Sequence, residues 1–204
     1  MNAAKLLCAW ALLALLPGCS ADFSREERRV ILAGGEGSMR VLTLGNGEDE
    51  AVLRATSRPV SSRMLRGMTY ATLRRRMLAT VQNPENEGVG IAAPQVGVLR
   101  RIIAVQRFDK AGEPFEFFLN PEIIGVSGEK QAGREGCLSV PDRYGDVERW
   151  QQIRVRYIDE DGEPREEEIA GFTAVIFQHE LDHLDGILYV DRIAAEQGSG
   201  EAGA

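Results

Sequence analysis

The stretch GFTAVIFQHELDHLDG, residues 171–186, decides how the rest of the chain is read. It carries both histidines of the protein, His179 and His183, with Glu180 between them. On a helix, residues four apart stand one above the other. Both imidazoles can then reach one metal ion, with Glu180 beside it to handle a proton. At about 100° per residue, Phe172, Val175, Ile176, His179 and His183 form one stripe. Ala174, Phe177, Leu181 and Leu184 fall on the other side, and Gln178, Asp182 and Asp185 make a narrow polar strip. A helix apolar on two sides is a buried, central one. An HExxH spacing also arises by chance, but here chance would bury two imidazoles, a glutamate and an aspartate without a metal. Unpaired buried polar groups are costly, so the metal-binding reading is preferred. By itself it names no reaction.

The chain has 204 residues, enough for one domain with a sizeable core. A net charge of -7 gives no electrostatic footprint for nucleic acid. Cys8 and Cys19 lie at the N-terminal end, which leaves Cys137 alone in the body and no internal disulfide there. The fold does not depend on an oxidising compartment.

Residues 1–19 read as an export signal: Lys5 is the only charge, residues 6–16 are apolar, and Pro17-Gly18-Cys19 closes the segment. The apolar run is too short for a spanning helix. Its ending resembles a bacterial lipobox, in which Cys19 would be lipidated; a buried N-terminal helix is the alternative. Residues 20–38, charged and ending in glycines, read as a tether or lead-in. Residues 39–46 have the alternation of a strand. Ser61 or Ser62 can cap a helix running to about Val81, with Met64, Met68, Met77, Leu78 and Val81 as core candidates. Arg74, Arg75 and Arg76 read as its solvated face.

The glycine-rich GVGIAAPQVG, residues 88–97, superficially matches a dinucleotide fingerprint. That motif needs a strand before it and a helix after it, whereas a helix and a turn precede it here and Pro94 sits where the helix should start. Glycines also let a backbone approach a ligand closely, and Gln95 offers an amide donor. Residues 101–106, 115–120, 152–159 and 165–171 read as strands with hairpin-like turns. The expected fold is α+β, with mostly antiparallel sheet around the central HExxH helix. Residues 194–204 read as a frayed tail.

A catalytic site of the zinc type needs a third protein ligand. No third histidine exists, and the glutamates after the helix, Glu196 and Glu201, lie in the tail. Cys137, in Glu135-Gly136-Cys137-Leu138-Ser139, is the remaining soft ligand. Alone it would read as a small buried hydrophobe, but a ligand-short HExxH reverses that preference.

GVGIAAPQ, EGCLS and QHELDH, in this order and spacing, resemble the three signature motifs of the peptide deformylase family. The resemblance runs from about Met39 to Ile193 and implies a catalytic domain at 39–193. It implies removal of the N-formyl group from N-formylmethionyl peptides and nascent chains, with release of formate. It also implies one divalent metal, Fe²⁺ first, with Zn²⁺, Ni²⁺ or Co²⁺ as substitutes. By motif position Cys137, His179 and His183 would bind the metal and Glu180 would be the acid/base. Gln95 and the Leu138 N–H would stabilise the oxyanion. Phe172, Val175 and Ile176 from the helix stripe, completed by Val89 and Gly90, would hold the methionine side chain. The chain departs from the family pattern at Tyr144, where an arginine is common; here Arg143 stands one position earlier. It also stops short of the C-terminal helix of longer members.

Two other readings compete. One is a metallopeptidase or amidase with altered substrate choice; the other is a lipid-anchored metal- or peptide-binding protein without turnover. Location divides similarly: a Cys19-anchored envelope lipoprotein is favoured, and a cytoplasmic protein follows if translation starts at Met39. The sequence carries no signal for an oligomeric state.

Overall fold

Alternate residues of the two apolar strands go to opposite faces of one sheet, as the two-residue period of a strand requires. Ile102, Ala104, Phe117 and Leu119 join one buried cluster. Ile103, Val105 and Phe118 join another. A strand buried on both faces has helices or other elements covering each side.

The computed structural model describes residues 22–86 and 88–193. In chain order the elements are α1 (Arg25–Leu32), α2 (Gly47–Leu53), α3 (Ser62–Leu65), α4 (Met68–Val81), β1 (Gly90–Ala92), a 3-10 turn (Ala93–Val96), β2 (Ile102–Gln106), β3 (Phe115–Cys137), β4 (Val140–Ile158), β5 (Pro164–Ala170) and α5 (Gly171–Leu184). The strands form one five-stranded sheet in the order β1-β2-β3-β4-β5, antiparallel at every pairing. The architecture is α+β. Helix α4 supplies Leu73, Met77 and Val81 to the first cluster. Helix α5 supplies Ala174, Ile176, Phe177, Leu181 and Leu184 to the second. The export-signal and tail segments, 1–19 and 194–204, lie outside the described residues.

The long β3–β4 hairpin does most to position the site. Its register shifts at Leu119/Glu122, Ile123/Gly125, Ser127/Lys130 and Gly136/Cys137, and bulges of this kind bend and twist a strand pair. The far end of β3 thus meets α5, with Glu135 bonded to His179 and Cys137 beside His183.

Several expectations are corrected. Residues 39–46 pair with no strand. Leu42 N–H donates to the Gln95 carbonyl at 2.8 Å and Leu44 N–H to the Ser139 carbonyl at 2.8 Å. These partners lie in a 3-10 turn and in the turn between β3 and β4, so no ladder forms. The single helix expected to run to Val81 is two, α3 and α4, divided at Gly67, the N-cap of α4. Met68, at the start of α4, is exposed rather than core, while Met64, Met77 and Val81 are buried. Arg76 is not solvated either. It is buried and donates to the carbonyls of Ile31 at 2.8 Å and Gly37 at 3.0 Å.

Those carbonyls belong to the segment expected to be a tether. Instead α1 forms on a capping box between Ser24 and Glu27, and Ile31 is fully buried against the core. Glu27 accepts from Arg100 Nε at 2.7 Å and Nη2 at 3.0 Å, and both side chains are almost completely buried. Removing one partner of such a pair leaves an uncompensated charge, so Glu27→Ala should cost about 3 kcal/mol. The readout is the urea midpoint at unchanged m-value. An unaltered midpoint would mean that the carbonyls of Pro59 and Asp22, which Arg100 also reaches, suffice.

Candidate metal centre and active-site cavity

Helix α5 places His179, Glu180 and His183 in two consecutive turns, and β3 brings Cys137 to them from 46 residues away in sequence. Cys137 Sγ lies 3.2 Å from His183 Nε2. The sulfur and one nitrogen from each imidazole all fall within 4.8 Å of one another. This is a soft, three-donor set of the kind that holds a single divalent transition metal with positions left open.

The other ring nitrogen of His179 is fixed. Its Nδ1 lies 2.8 Å from Glu135 Oε2, and a carboxylate can only accept, so Nδ1 carries the proton and Nε2 is left with its lone pair. Burial alone would raise the Glu135 carboxyl, but Arg149 and then His179 outweigh it and hold it at about 2. Arg149 donates to Glu135 Oε1 at 2.7 Å and Oε2 at 3.0 Å. Its Nη1 reaches Asp182 Oδ2 at 2.6 Å, and Arg192 closes the chain on the same carboxylate. Tyr189 stacks on the His179 ring with centroids 6.2 Å apart and planes at 22°. Residues from β3, β4 and α5 therefore orient one imidazole.

Burial disfavours a thiolate at Cys137, yet His183 and His179 outweigh it and hold the thiol well below its usual range. Gln95 Nε2, 3.6 Å away, and Ser139 N–H, 3.4 Å away, also face the sulfur. A lowered thiol pKa favours the form that ligates metals. Glu180 differs from every other carboxylate of the centre. It is buried, its Oε2 has no hydrogen-bond partner among the described residues, and burial pushes its carboxyl up to about 7. Only glycine fits beside it, because a Cβ at Gly90 would overlap Glu180 Oε1 and sit 2.8 Å from Ile176 Cγ2.

These groups border a cavity of ≈ 500 Å³. The sequence-singled residues Gln95, Cys137, Leu138, His179 and Glu180 line it, as do Val89, Gly90, Phe172, Val175 and Ile176. His183 does not; it lies beneath, almost fully buried. Phe172 is half-exposed at the mouth, its ring 5.2 Å from Phe108. The polar strip of α5 also has its explanation. Gln178 exchanges hydrogen bonds with the backbone of Trp150, at 3.0 and 2.8 Å, and docks the helix on β4.

Sequence reasoning missed Glu135, Arg149 and Asp182 as a unit. The available signals were the position of Glu135 two residues before Cys137 and that of Asp182 within the HELDH run; nothing local pointed to Arg149. Partners of this type typically alter metal affinity by about 10–100-fold when changed. Glu135→Gln is expected to weaken metal binding within that range, measured by competition with a chelating dye. Wild-type affinity in the variant would leave Glu135 only its ion pair with Arg149.

A cysteine, two histidines of one helix and a buried carboxylate beside a cavity of mixed polar and apolar lining fit the class of metal-dependent hydrolases. A family model described as Polypeptide deformylase matches residues 40–198. A peptide deformylase of Leptospira biflexa is 40% identical over 161 residues, covering 76% of this chain and 87% of that protein. Peptide deformylase 2 of Xanthomonas axonopodis pv. citri is 42% identical over 142 residues, covering 70% of this chain and 81% of that one. The class I type b peptide deformylase of Acinetobacter baumannii, solved with Met-Ala-Ser bound, superposes with a TM-score of 0.69 at 40% identity. The match covers 77% of this chain and 99% of that one. The chain belongs to the peptide deformylase family, and it is an enzyme that removes the N-formyl group from nascent peptides.

Proposed function

We propose that Cys137, His179 and His183 hold one divalent ion, with Glu180 as the proton carrier of deformylation. The observation that carries this reading is the buried, unpartnered Glu180 Oε2 beside three convergent donors. A divalent ion held there supplies Lewis acidity and brings the pKa of a water toward neutrality. Glu180 takes the proton of the attacking water and returns it to the leaving amine nitrogen. Gln95 Nε2 and the Leu138 N–H donate to the carbonyl oxygen as charge develops on it. Phe172, Val175, Ile176, Val89 and Gly90 receive the methionine side chain. Thiolate and imidazole donors accept Fe²⁺ as well as Zn²⁺; Fe²⁺ is the proposed native ion. The experiment is formate release from formyl-Met-Ala-Ser by protein purified anaerobically, with the bound metal identified and acetyl-Met-Ala-Ser as the comparison. Equal cleavage of the two peptides sinks the formyl specificity, and no cleavage sinks the assignment.

We place the catalytic domain at 39–193, braced by the segment 22–38. That brace bears on location. A chain starting at Met39 would lack Glu27 and leave buried Arg100 without its carboxylate, which favours a chain that includes the segment 22–38. No helix among the described residues is long and apolar enough to cross a membrane. Lipidation at Cys19 is a separate proposal resting on the lipobox-like ending. Mass spectrometry of the native N-terminus after fractionation tests this: an unlipidated chain starting at Met39 ends the anchored reading.

A further inference from the structure

The outer rim of the cavity is built differently from its floor. Arg134, Arg143 and Tyr144 line it on the β3–β4 side. Tyr144 is 65% exposed and pairs across the hairpin with Gly136. A Cβ at Gly136 would stand 2.7 Å from Tyr144 Cε1 and 2.8 Å from Cδ1, so the glycine lets the ring lie against the β3 backbone. The guanidinium carbon of Arg134 sits 5.1 Å from the centre of that ring. A guanidinium on an aromatic face is held in place while its N–H groups stay free for a planar anion. Neither Arg134 nor Arg143 forms an ion pair with a described carboxylate. Glu85 and Asp142 border the same cavity without pairing to them.

The spacing from the metal donors gives this rim a meaning. Arg134 lies three strand residues from Cys137, about 10 Å at roughly 3.3 Å per residue. An extended peptide advances by about the same amount per residue. A formyl carbon near Cys137 therefore puts the third residue of the substrate at the rim. The geometry points to Arg134, stacked on Tyr144 and aided by Arg143, as the specificity determinant for a carboxylate about three residues from the formyl group. This rests on the deformylase reading and narrows its substrate class. The preferred substrates are short formylated peptides with a free C-terminus, or longer ones with an acidic third side chain.

The test compares kcat/KM for formyl-Met-Ala-Ser, its C-terminal amide, and formyl-Met-Ala-Asp amide, using metal-loaded protein at low salt. The free acid should exceed its amide by roughly three- to tenfold, between the worth of an exposed ion pair and that of a charge-assisted hydrogen bond. In Arg134→Gln this ratio should fall toward one, whereas Arg154→Gln, elsewhere on β4, should keep it. An aspartyl amide turned over like the free acid names an acidic side chain as an accepted source; one turned over like the plain amide restricts the subsite to the C-terminus. Both results support the carboxylate subsite. A wild-type ratio of one, or a ratio that survives Arg134→Gln, overturns it while leaving deformylation intact. No formate from any peptide overturns the deformylase reading and this inference with it.

Discussion

Glu180→Gln protein should keep its metal and lose formate release by at least about 10² to 10⁴-fold, the usual worth of a positioned general acid–base group. The substitution preserves shape, which matters here because Glu180 is packed against Gly90 and almost fully buried. The donors Cys137, His179 and His183 are untouched, so occupancy should not change. An amide cannot accept the proton of the attacking water or return it to the leaving nitrogen. The loss should therefore appear in kcat more than in KM. Near-normal turnover with bound metal would remove Glu180 from the proposed role.

Cys137→Ala should lose the metal, and activity with it, by more than the about 10–100-fold typical of an altered outer partner. Two imidazoles four residues apart leave an ion underliganded, and the sulfur is the donor 3.2 Å from His183 Nε2. The variant should still fold, because the side chain is small and lies at the end of the β3–β4 hairpin rather than in its packed middle. Metal content by mass spectrometry, beside a far-UV spectrum matching wild type, separates ligand loss from unfolding. Full occupancy with full activity would reduce Cys137 to packing.

Much of the site was legible because its geometry is local. The four-residue spacing of His179 and His183 and the stripe through Phe172, Val175 and Ile176 follow from helix periodicity alone. The strand over residues 101–106 was legible in its apolar run, whereas the assignment of its residues to two buried faces was not. Local patterns also misled. Met68 has the spacing of a core residue, but Gly67 breaks the helix before it and leaves it exposed. The charged residues 25–29 read as part of a tether, yet Glu27 turns inward and pairs with Arg100, 73 residues on, which pairs with no other carboxylate among the described residues.

By itself, then, the sequence of this protein singled out Cys137, His179, His183 and Glu180, which the fold brings together, and it carried the resemblance to its family. Each of these is written in residue type and short-range spacing, which the backbone's own periods convert into faces. Tertiary structure alone decided the rest: the Glu135–Arg149–Asp182 chain that fixes His179, the docking of α1 on Arg76 and Arg100, and Arg134 laid on Tyr144 at the cavity rim. Two of these depend on how far successive bulges bend the β3–β4 hairpin and on which strand residues that bend brings opposite each other. The docking of α1 depends on charges that only the closed fold removes from water. Burial makes the loss of either partner most costly, and burial is a property of the whole chain.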